Sequence, residues 1–265
     1  MSVASHREVV LVHSSDLHVG PDGNFGQSRS FDPLSVLREV LETAASVRAD
    51  LLILAGDTFE NNRQPSQLLD RAARTMSELG APIVILPGNH DPLTPDSVYR
   101  RAELATGSNL CVLGLTVDEA VVFPGLGLEV WGRAHLNYSD MSPLCNPRPR
   151  STRWQLAAAH GHYLEGPDEP GRLLPSWLIR REDLIAAGAD YVALGHWNRA
   201  ARVGDKHINA YYSGSPEYEG TVNVVRLRQD GAVEVTRAPL RASAARGGVE
   251  LDNAGVNQKN TGGNL

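Results

Sequence analysis

Three short apolar runs in the first part of the chain, each followed at once by a polar loop, constrain the fold more than any other feature. They occupy residues 8–13 (EVVLVH), 51–55 (LLILA) and 83–86 (IVIL). Continuous apolar runs of this length are typical of strands that are buried on both faces. Segments with helical spacing separate them, so the order predicts a mainly parallel sheet covered by helices.

Three helices are predicted from capping signals and apolar spacing. Asp32 and Pro33 fit an N-cap and first helical position, and apolar residues then recur at helical spacing as far as residue 44, for about four turns. A second helix is predicted over residues 65–79, ending before Gly80. A third is predicted over residues 180–187.

Beyond residue 110 the pattern changes to short β-like runs that are broken by glycine and proline. We assign residues 120–123, 128–131 and 155–159 to a second sheet packed on the first, and residues 191–194 to a further strand. Four later runs, at 201–203, 208–212, 222–227 and 233–237, predict an antiparallel meander that closes this second sheet. The fold class is therefore α/β, with one domain over residues 1–240 and a disordered Gly/Asn-rich tail over 241–265.

Composition limits the function only weakly. The 265 residues carry a formal net charge of −6, which gives no global attraction for a polyanion such as nucleic acid. Cys111 and Cys145 stand far apart, without the spacing of a thiolate zinc site. The N-terminal segment is polar and no run approaches membrane length, so we expect a cytoplasmic protein without a membrane partner.

Side chains that bind metals follow one predicted strand after another. Each alone has a plain interpretation, as a turn cap or a loop histidine, but their joint occurrence favours a metal site at the carboxyl ends of the strands. Mixed carboxylate and imidazole ligands suit Mn²⁺, Fe²⁺ or Zn²⁺, and a shared carboxylate can hold two ions. These residues are Asp16 and His18, then Asp57, then Asn89 and His90, then His160, and finally His196.

Five sequence blocks in this order resemble the calcineurin-like metallophosphoesterases. The blocks are Asp16-Leu17-His18, Gly56-Asp57, Gly88-Asn89-His90-Asp91, His160-Gly161 and Gly195-His196. Residues 12–20, 56–59 and 212–217 look most like the SbcD-type DNA repair exonucleases, and the similarity extends from about residue 9 to residue 240. The resemblance implies a four-layer fold in which two packed mixed β-sheets are flanked by helices.

The resemblance also implies residue roles. Asp57 would bridge two divalent metal ions, most commonly manganese, with iron or zinc as alternatives. Asp16 and His18 would complete one metal site, and Asn89, His160 and His196 the other. His90, paired with Asp91, would stabilise the transition state or protonate the leaving oxygen. A metal-bridging hydroxide would attack the phosphoester, because such a hydroxide is a competent nucleophile near neutral pH.

Several assignments stay open at this point. His162 is an alternative to His160, since both would face the same side of a strand. We interpret His13 as a core histidine, and His135 and His207 as structural or surface residues. The proline-rich segment 137–150 is expected to be a loop near the site, and no substrate-binding residue is indicated.

The chain departs from the family pattern at three points. Asn198 stands where a final histidine ligand is expected, which predicts a weakened first metal site. Glu60 lies near a position at which the repair nucleases often differ in the polar chemistry of the side chain. Little follows Leu240, so we expect the DNA-gripping domain and the segment that docks an SbcC-like ATPase partner to be absent.

Three functions follow from these patterns. The first is metal-dependent hydrolysis of phosphodiesters, with DNA as a candidate substrate for exonuclease or endonuclease activity. The second is a small-molecule phosphatase or a cyclic-nucleotide phosphodiesterase. The third is a metal-weakened binding scaffold on the same fold.

Overall fold

A computed structural model describes residues 7–20, 32–166 and 174–241 of the chain. Apart from Arg241, the predicted C-terminal tail lies outside the described residues. The helices are α1 (Ser35–Ser46), α2 (Ser66–Ser77), α3 (Ala102–Thr106), α4 (Arg181–Ala187) and α5 (Pro216–Glu219). The strands are β1 (Val9–Ser14), β2 (Leu51–Ala55), β3 (Ile83–Leu86), β4 (Leu110–Val112), β5 (Ala120–Phe123), β6 (Leu128–Gly132), β7 (Trp154–His160), β8 (His162–Tyr163), β9 (Leu178–Ile179), β10 (Tyr191–Gly195), β11 (Ala201–Val203), β12 (Ala210–Tyr212), β13 (Thr221–Leu227) and β14 (Val233–Pro239).

The first sheet has six strands in the order β14-β13-β1-β2-β3-β4. Strands β1 to β4 run parallel, as the alternation of apolar runs and helices predicted. Ser14 pairs with Leu54 and Ala55 pairs with Leu86, so the carboxyl ends of β1, β2 and β3 lie side by side. This register brings the polar loops after these three strands to one edge.

The prediction that the last four runs form one meander on the second sheet is wrong. Strands β13 and β14 instead extend the first sheet, where β13 pairs antiparallel with β1 from Val9↔Leu227 to His13↔Asn223. Without β13, one edge of the apolar strand β1 would have unpaired backbone groups in the core. Sequence patterns identify both strands, but the choice between two sheets depends on this long-range pairing.

The second sheet has the order β11-β12-β10-β7-β6-β5 and is also mixed, with parallel strands at its centre. Its strands β11 and β12 pair antiparallel, as predicted for this part of the meander, and β12 also pairs parallel with β10. Gly195 pairs with His160, so the ends of β10 and β7 also coincide.

Alternate residues of β7 and β10 face two different hydrophobic cores. Leu156, Ala158, Tyr191 and Ala193 face the core shared with the first sheet. Their sequence neighbours face a second core with Leu184 and Ala187 of α4, as the two-residue period of a strand requires. The first core also receives the buried faces of α1 and α2. The structure confirms two mixed sheets with flanking helices.

Candidate metal centre

The carboxyl ends of five neighbouring strands meet at one place between the two sheets. Strands β1, β2 and β3 contribute the loops of the first sheet, and β7 and β10 those of the second. A hydrogen bond from Nδ1 of His160 to the carbonyl of Ala55, at 2.9 Å, joins the two sheets directly. The side chains that lie here are Asp16, His18, Asp57, Asn89, His90, Asp91, His160 and His196.

Four of these residues have a left-handed backbone although none is glycine. The φ angles are 55° at Asp16, 48° at His18, 52° at Asp57 and 103° at His196. Such a conformation costs about 1–3 kcal/mol per residue and clusters at functional sites. Backbone bonds of 3.0 Å from Asp16 to Gly56 and from His18 to Asp57 hold the first two loops together. The bent backbone turns the side chains toward a common point.

His160 is the fully buried centre of the arrangement. The carbonyl of Ala55 can only accept, so Nδ1 of His160 carries a hydrogen and Nε2 points into the site. Nε2 lies 3.1 Å from Oδ2 of Asp57 and 3.0 Å from Oδ1 of Asn89. The histidine is therefore placed as a ligand must be, with Nε2 beside two other predicted ligands.

In this buried site the positive charge of His160 and the negative charge of Asp57 stabilise each other. Burial alone would lower the pKa of His160, but the Asp57 carboxylate outweighs it and raises the pKa to about 9. Burial would raise the pKa of Asp57, yet His160 holds it well below its usual range. The pKa of Asp16 is raised by burial, and repulsion from Asp57 acts in the same direction. Two buried carboxylates this close form a strong site for cations.

The donor set satisfies the requirements for a metal centre. Ligand atoms of Asp16, Asp57 and His160 all lie within 4.8 Å of one another, and the same holds for His18, Asp57 and His90. Asp57 belongs to both groups, which is the property required of a carboxylate that is shared by two cations. Mixed oxygen and imidazole donors suit divalent transition metals.

His196 and Asn89 lie next to each other and close to His160. Nδ1 of His196 is 3.2 Å from Oδ1 of Asn89, the same oxygen that lies beside His160. The backbone N–H of His196 donates to the carboxylate of Asp16 at 3.0 Å. Burial, followed by the positive charge of His160, lowers the pKa of His196 to about 4, so its ring is neutral and able to ligate.

Glu60 links the two remaining histidines of the site. Its carboxylate lies 3.0 Å from Nδ1 of His18 and 3.9 Å from Nδ1 of His90. Its backbone carbonyl is 3.0 Å from Nδ1 of His90, while the backbone N–H of His90 donates to Asp57. The two imidazole rings pack edge to face with centroids 4.7 Å apart. Glu60 therefore fixes the orientation of both rings.

The pairing of His90 with Asp91 that the resemblance implied does not occur in the structure. Asp91 is fully buried and accepts from the backbone N–H groups of Gly88 and Phe59 and from the Tyr99 hydroxyl, at 2.7, 2.9 and 2.5 Å. Burial, and then Asp57, raise the pKa of Asp91 to about 6. Its backbone bonds point the carboxylate into the loop, so Asp91 shapes the loop that carries His90.

Two other predicted positions lie farther out. Asn198 is exposed, and its backbone carbonyl accepts from the N–H of Ser215. The ring of His162 is half-buried, accepts the indole N–H of Trp197 at 3.2 Å, and lies 6.3 Å from the ring of His196. Between the alternatives left open by the sequence, His160 is the one that lies beside Asp57 and Asn89.

The other three histidines of the described residues are not among the predicted ligands. His13 is fully buried and bonds Tyr191 at 2.8 Å, which confirms a core histidine. His207 is exposed in a turn beside Asp205. His135 is fully buried, and its Nε2 is 2.9 Å from the backbone carbonyl of His160. It therefore contacts the end of β7, the strand that carries this predicted ligand. Sequence patterns carried no signal for that support, because it depends on a contact between distant loops.

A two-sheet α/β fold with carboxylate, amide and imidazole groups at its strand ends defines a class of metal-dependent hydrolases. Residues 9–200 match the family described as calcineurin-like phosphoesterase, and the chain belongs to that family. It is therefore a hydrolase that acts on phosphate esters.

Curated relatives include nucleases. The chain is 25% identical to the SbcD subunit of the nuclease SbcCD from Bacillus subtilis, over 78% of this chain and 61% of that protein. The SbcD protein of Escherichia coli K12 gives 25% identity, over 78% and 60%. "DNA double-strand break repair protein Mre11" of Methanopyrus kandleri is 26% identical over 78% of this chain and 48% of its own length. The chain spans about three fifths of the length of the first two relatives.

Solved structures share the fold at lower identity. A dimetal phosphatase from Danio rerio has a TM-score of 0.51 at 12% identity, covering 88% of this chain and 99% of that one. The Thermus thermophilus protein TT1561 has a TM-score of 0.52 at 12% identity, covering 86% and 98%. Among the described helices of this chain, none is both long and apolar enough to cross a membrane.

Proposed function

We propose that this chain hydrolyses phosphodiester bonds with two bound divalent cations, for which manganese is the first candidate, and that DNA is its substrate. The observation that carries the proposal is that the Asp57 carboxylate belongs to two groups of ligand atoms, one with Asp16 and His160 and one with His18 and His90. The nuclease relatives favour a diester as substrate.

The proposed division of the ligands between the two cations is the one that the family resemblance implies, and Asp57 is common to both cations in it as it is common to both groups of ligand atoms. In this proposal one cation is held by Asp16, His18 and Asp57, with Asn198 at the place of a fourth ligand. The other cation is held by Asp57, Asn89, His160 and His196. Two bound cations would supply an activated water and offset the charge of the phosphoryl oxygens. Asp57 keeps both sites together, and the bond to Ala55 directs Nε2 of His160 inward.

His90 is the proposed proton donor to the leaving oxygen. Its ring is about two fifths exposed, the most accessible position among the histidines near Asp57, with a side-chain exposure of 40% against 23% for His18. The backbone carbonyl and carboxylate of Glu60 hold Nδ1, which leaves Nε2 for substrate. Asp91 contributes by fixing the loop between Gly88 and His90.

The choice of partner, like the choice of DNA as substrate, is a proposal that rests on the relatives. Relatives are named as subunits of SbcCD, so an SbcC-like ATPase is the partner to test, against the expectation from the sequence that its docking segment is absent. A second candidate function, hydrolysis of small phosphomonoesters or cyclic nucleotides, is favoured by the net charge of −6, which does not attract a polyanion. Bound cations would reverse that charge locally.

The experiment compares bis-p-nitrophenyl phosphate with p-nitrophenyl phosphate in Mn²⁺, and then single-stranded with duplex DNA. The proposal expects diester turnover to exceed monoester turnover, and expects a product ladder from DNA. Asp57→Asn should abolish both activities, whereas His207→Gln, at an exposed histidine outside the site, should preserve them. Preference for the monoester would support the second candidate, and no turnover of any substrate would support a scaffold.

A further inference from the structure

The indole of Trp177 lies against the histidines of the metal centre and is held there by the loop after β6. Its ring forms T-shaped contacts with the rings of His196 and His135, with centroids 5.6 and 5.3 Å away and interplanar angles of 80° and 70°. The backbone N–H of Trp177 donates to Oδ1 of Asp140 at 2.6 Å, and the indole N–H donates to the carbonyl of Ser139 at 3.2 Å. Both polar groups of the residue are therefore used to fix the ring.

The backbone around Trp177 is also specialised. Its φ angle is 55°, in a region that bulky side chains rarely adopt. The carbonyl of Trp177 accepts the N–H of His162 at 2.9 Å, and the following strand β9 pairs with β8. A Cβ on Gly161 would lie only 2.2 Å from that carbonyl, so the approach requires the glycine that follows the ligand His160. Strained backbone of this kind concentrates at functional sites.

The hydrophobic core does not account for this arrangement. Trp177 is part-exposed and belongs to neither core cluster of the described residues. Trp197 offers the contrast, because it packs on the second core and stacks on Tyr212 with centroids 4.3 Å apart and an angle of 8°. Within the described residues, both ring contacts of Trp177 are T-shaped and neither is stacked.

The loop that holds Trp177 carries exposed hydrophobic side chains. The loop that fixes the indole also exposes Leu136 and Tyr138, with 61% and 63% of their surfaces accessible. Aromatic faces in such a setting bind planar groups by stacking, and nucleobases are the common example. A group stacked here would lie beside His196, at the edge of the proposed phosphoryl site.

We propose that Trp177 is the stacking surface for one nucleobase of the phosphodiester substrate, next to the bond that is cleaved. The inference rests on the proposed function for the position of the phosphate. It assigns a specificity-determining residue to a site whose ligand residues alone recognise only phosphate.

The test uses a deoxydinucleotide and two analogues, each with one base replaced by an abasic site, in Mn²⁺. Trp177→Leu should raise KM for the dinucleotide by about 5- to 150-fold, from the usual strength of base stacking, with kcat little changed. Trp177→Phe should restore most of the affinity, since it retains an aromatic face. For one of the two abasic analogues, Trp177→Leu and the unaltered protein should have equal KM values.

Binding is measured separately from turnover by quenching of tryptophan fluorescence with the dinucleotide after metal removal by EDTA. We expect quenching in the unaltered protein and in Trp154→Phe, which removes a tryptophan at the opposite end of β7 from His160. Quenching should disappear in Trp177→Phe although its KM is nearly normal.

Equal effects of Trp177→Leu on all three substrates, or no quenching in the unaltered protein, would overturn the stacking proposal. Quenching without hydrolysis of any diester would leave the stacking surface supported and would refute the proposed phosphodiesterase activity.

Discussion

Nε2 of His160 lies 3.1 Å from Oδ2 of Asp57, and this contact joins the two sheets at their carboxyl ends. Each residue is almost completely buried, so neither charge is solvated by water. Their opposite charges stabilise each other, which is why the pKa of His160 is raised to about 9 although burial opposes it. The carboxylate of Asp16 lies beside this buried pair. A divalent cation can therefore bind here by displacing the proton of His160.

Asp57→Asn should reduce kcat/KM for a phosphodiester by about 10³-fold or more, because metal ions supply several kcal/mol of transition-state stabilisation. The amide retains an oxygen but loses the negative charge that both ligand groups share. Metal analysis should find less bound metal in Asp57→Asn than in the unaltered protein. Full activity together with full metal content would show that Asp57 is not shared by the two sites.

Glu60→Gln should reduce activity or metal affinity by about 10- to 100-fold, the usual effect of removing a group that orients a metal-binding histidine. The amide keeps the size of the side chain but removes the charge that lies 3.0 Å from Nδ1 of His18. Steady-state kinetics across a Mn²⁺ titration is the measurement.

The matched control for Glu60→Gln is Glu234→Gln on β14, which removes one carboxylate from an exposed ion pair with Arg228. The control should change neither kcat nor the Mn²⁺ dependence. Equal Mn²⁺ curves for Glu60→Gln and the control would refute the orienting role.

Much of the fold was predictable because its elements depend on local signals. The runs at β2 and β3 are apolar throughout, β1 is apolar as far as Val12, and every residue of β2 is buried, so a continuous apolar pattern identified them. Apolar spacing placed α1 and α2 to within a few residues. The predicted N-cap of α1 is displaced, because Leu34 rather than Asp32 precedes the helix, and Asp32 bonds the N–H of Leu34. The sheet to which β13 belongs was not predictable, because it depends on pairing with β1 across most of the chain.

For the site, sequence order predicted which residues meet but not how they are oriented. Asp16, Asp57 and His160 converge as expected from parallel strands whose ends are aligned. The partners of His90 and Asp91 were not predictable, because adjacent residues in a loop point in different directions that the folded backbone sets. Trp177 and His135 carry no motif, and their contacts with His196 and His160 depend on two loops that are distant in sequence.

Asp91→Asn should lower the free energy of unfolding by about 2–3 kcal/mol, through the cost of buried polar groups that lose their partners. The carboxylate accepts from the N–H groups of Gly88 and Phe59 and from the Tyr99 hydroxyl, using both oxygens. An asparagine has one acceptor oxygen, so one of these donors would face an NH₂ group. Urea unfolding of the metal-free protein measures the loss. A decrease in activity with unchanged stability would instead indicate a direct catalytic role for Asp91.

Asn198→His should increase the occupancy of the weaker metal site, with affinity for its Mn²⁺ rising on the order of tenfold, because imidazole is a stronger donor to transition metals than a neutral amide. The position is exposed, so the substitution requires no change in packing. Equilibrium dialysis at limiting Mn²⁺, followed by metal analysis, compares the two proteins. Tight and equal occupancy of both sites in each protein would contradict a weakened first site.

Buried histidines should make the protein less stable in mild acid. Burial, followed by the positive charge of Arg237, lowers the pKa of His13 from 6.5 to about 3. The unfolded chain therefore takes up a proton below pH 6.5 that the folded chain does not take up until about pH 3. The free energy of unfolding should fall as pH decreases through this range, by up to about 1.4 kcal/mol per pH unit for this residue.

His13→Gln tests this contribution, because the variant lacks the titrating ring at the contact with Tyr191. Urea unfolding of the metal-free proteins between pH 6.5 and 4.5 should give a shallower decline for the variant, whatever its absolute stability. The unaltered protein and His207→Gln, in which the lost histidine is exposed, should decline with the same steeper slope. His135, whose pKa burial lowers to about 4, keeps some decline in every variant. Parallel curves for all three proteins would mean that His13 titrates normally in the folded state.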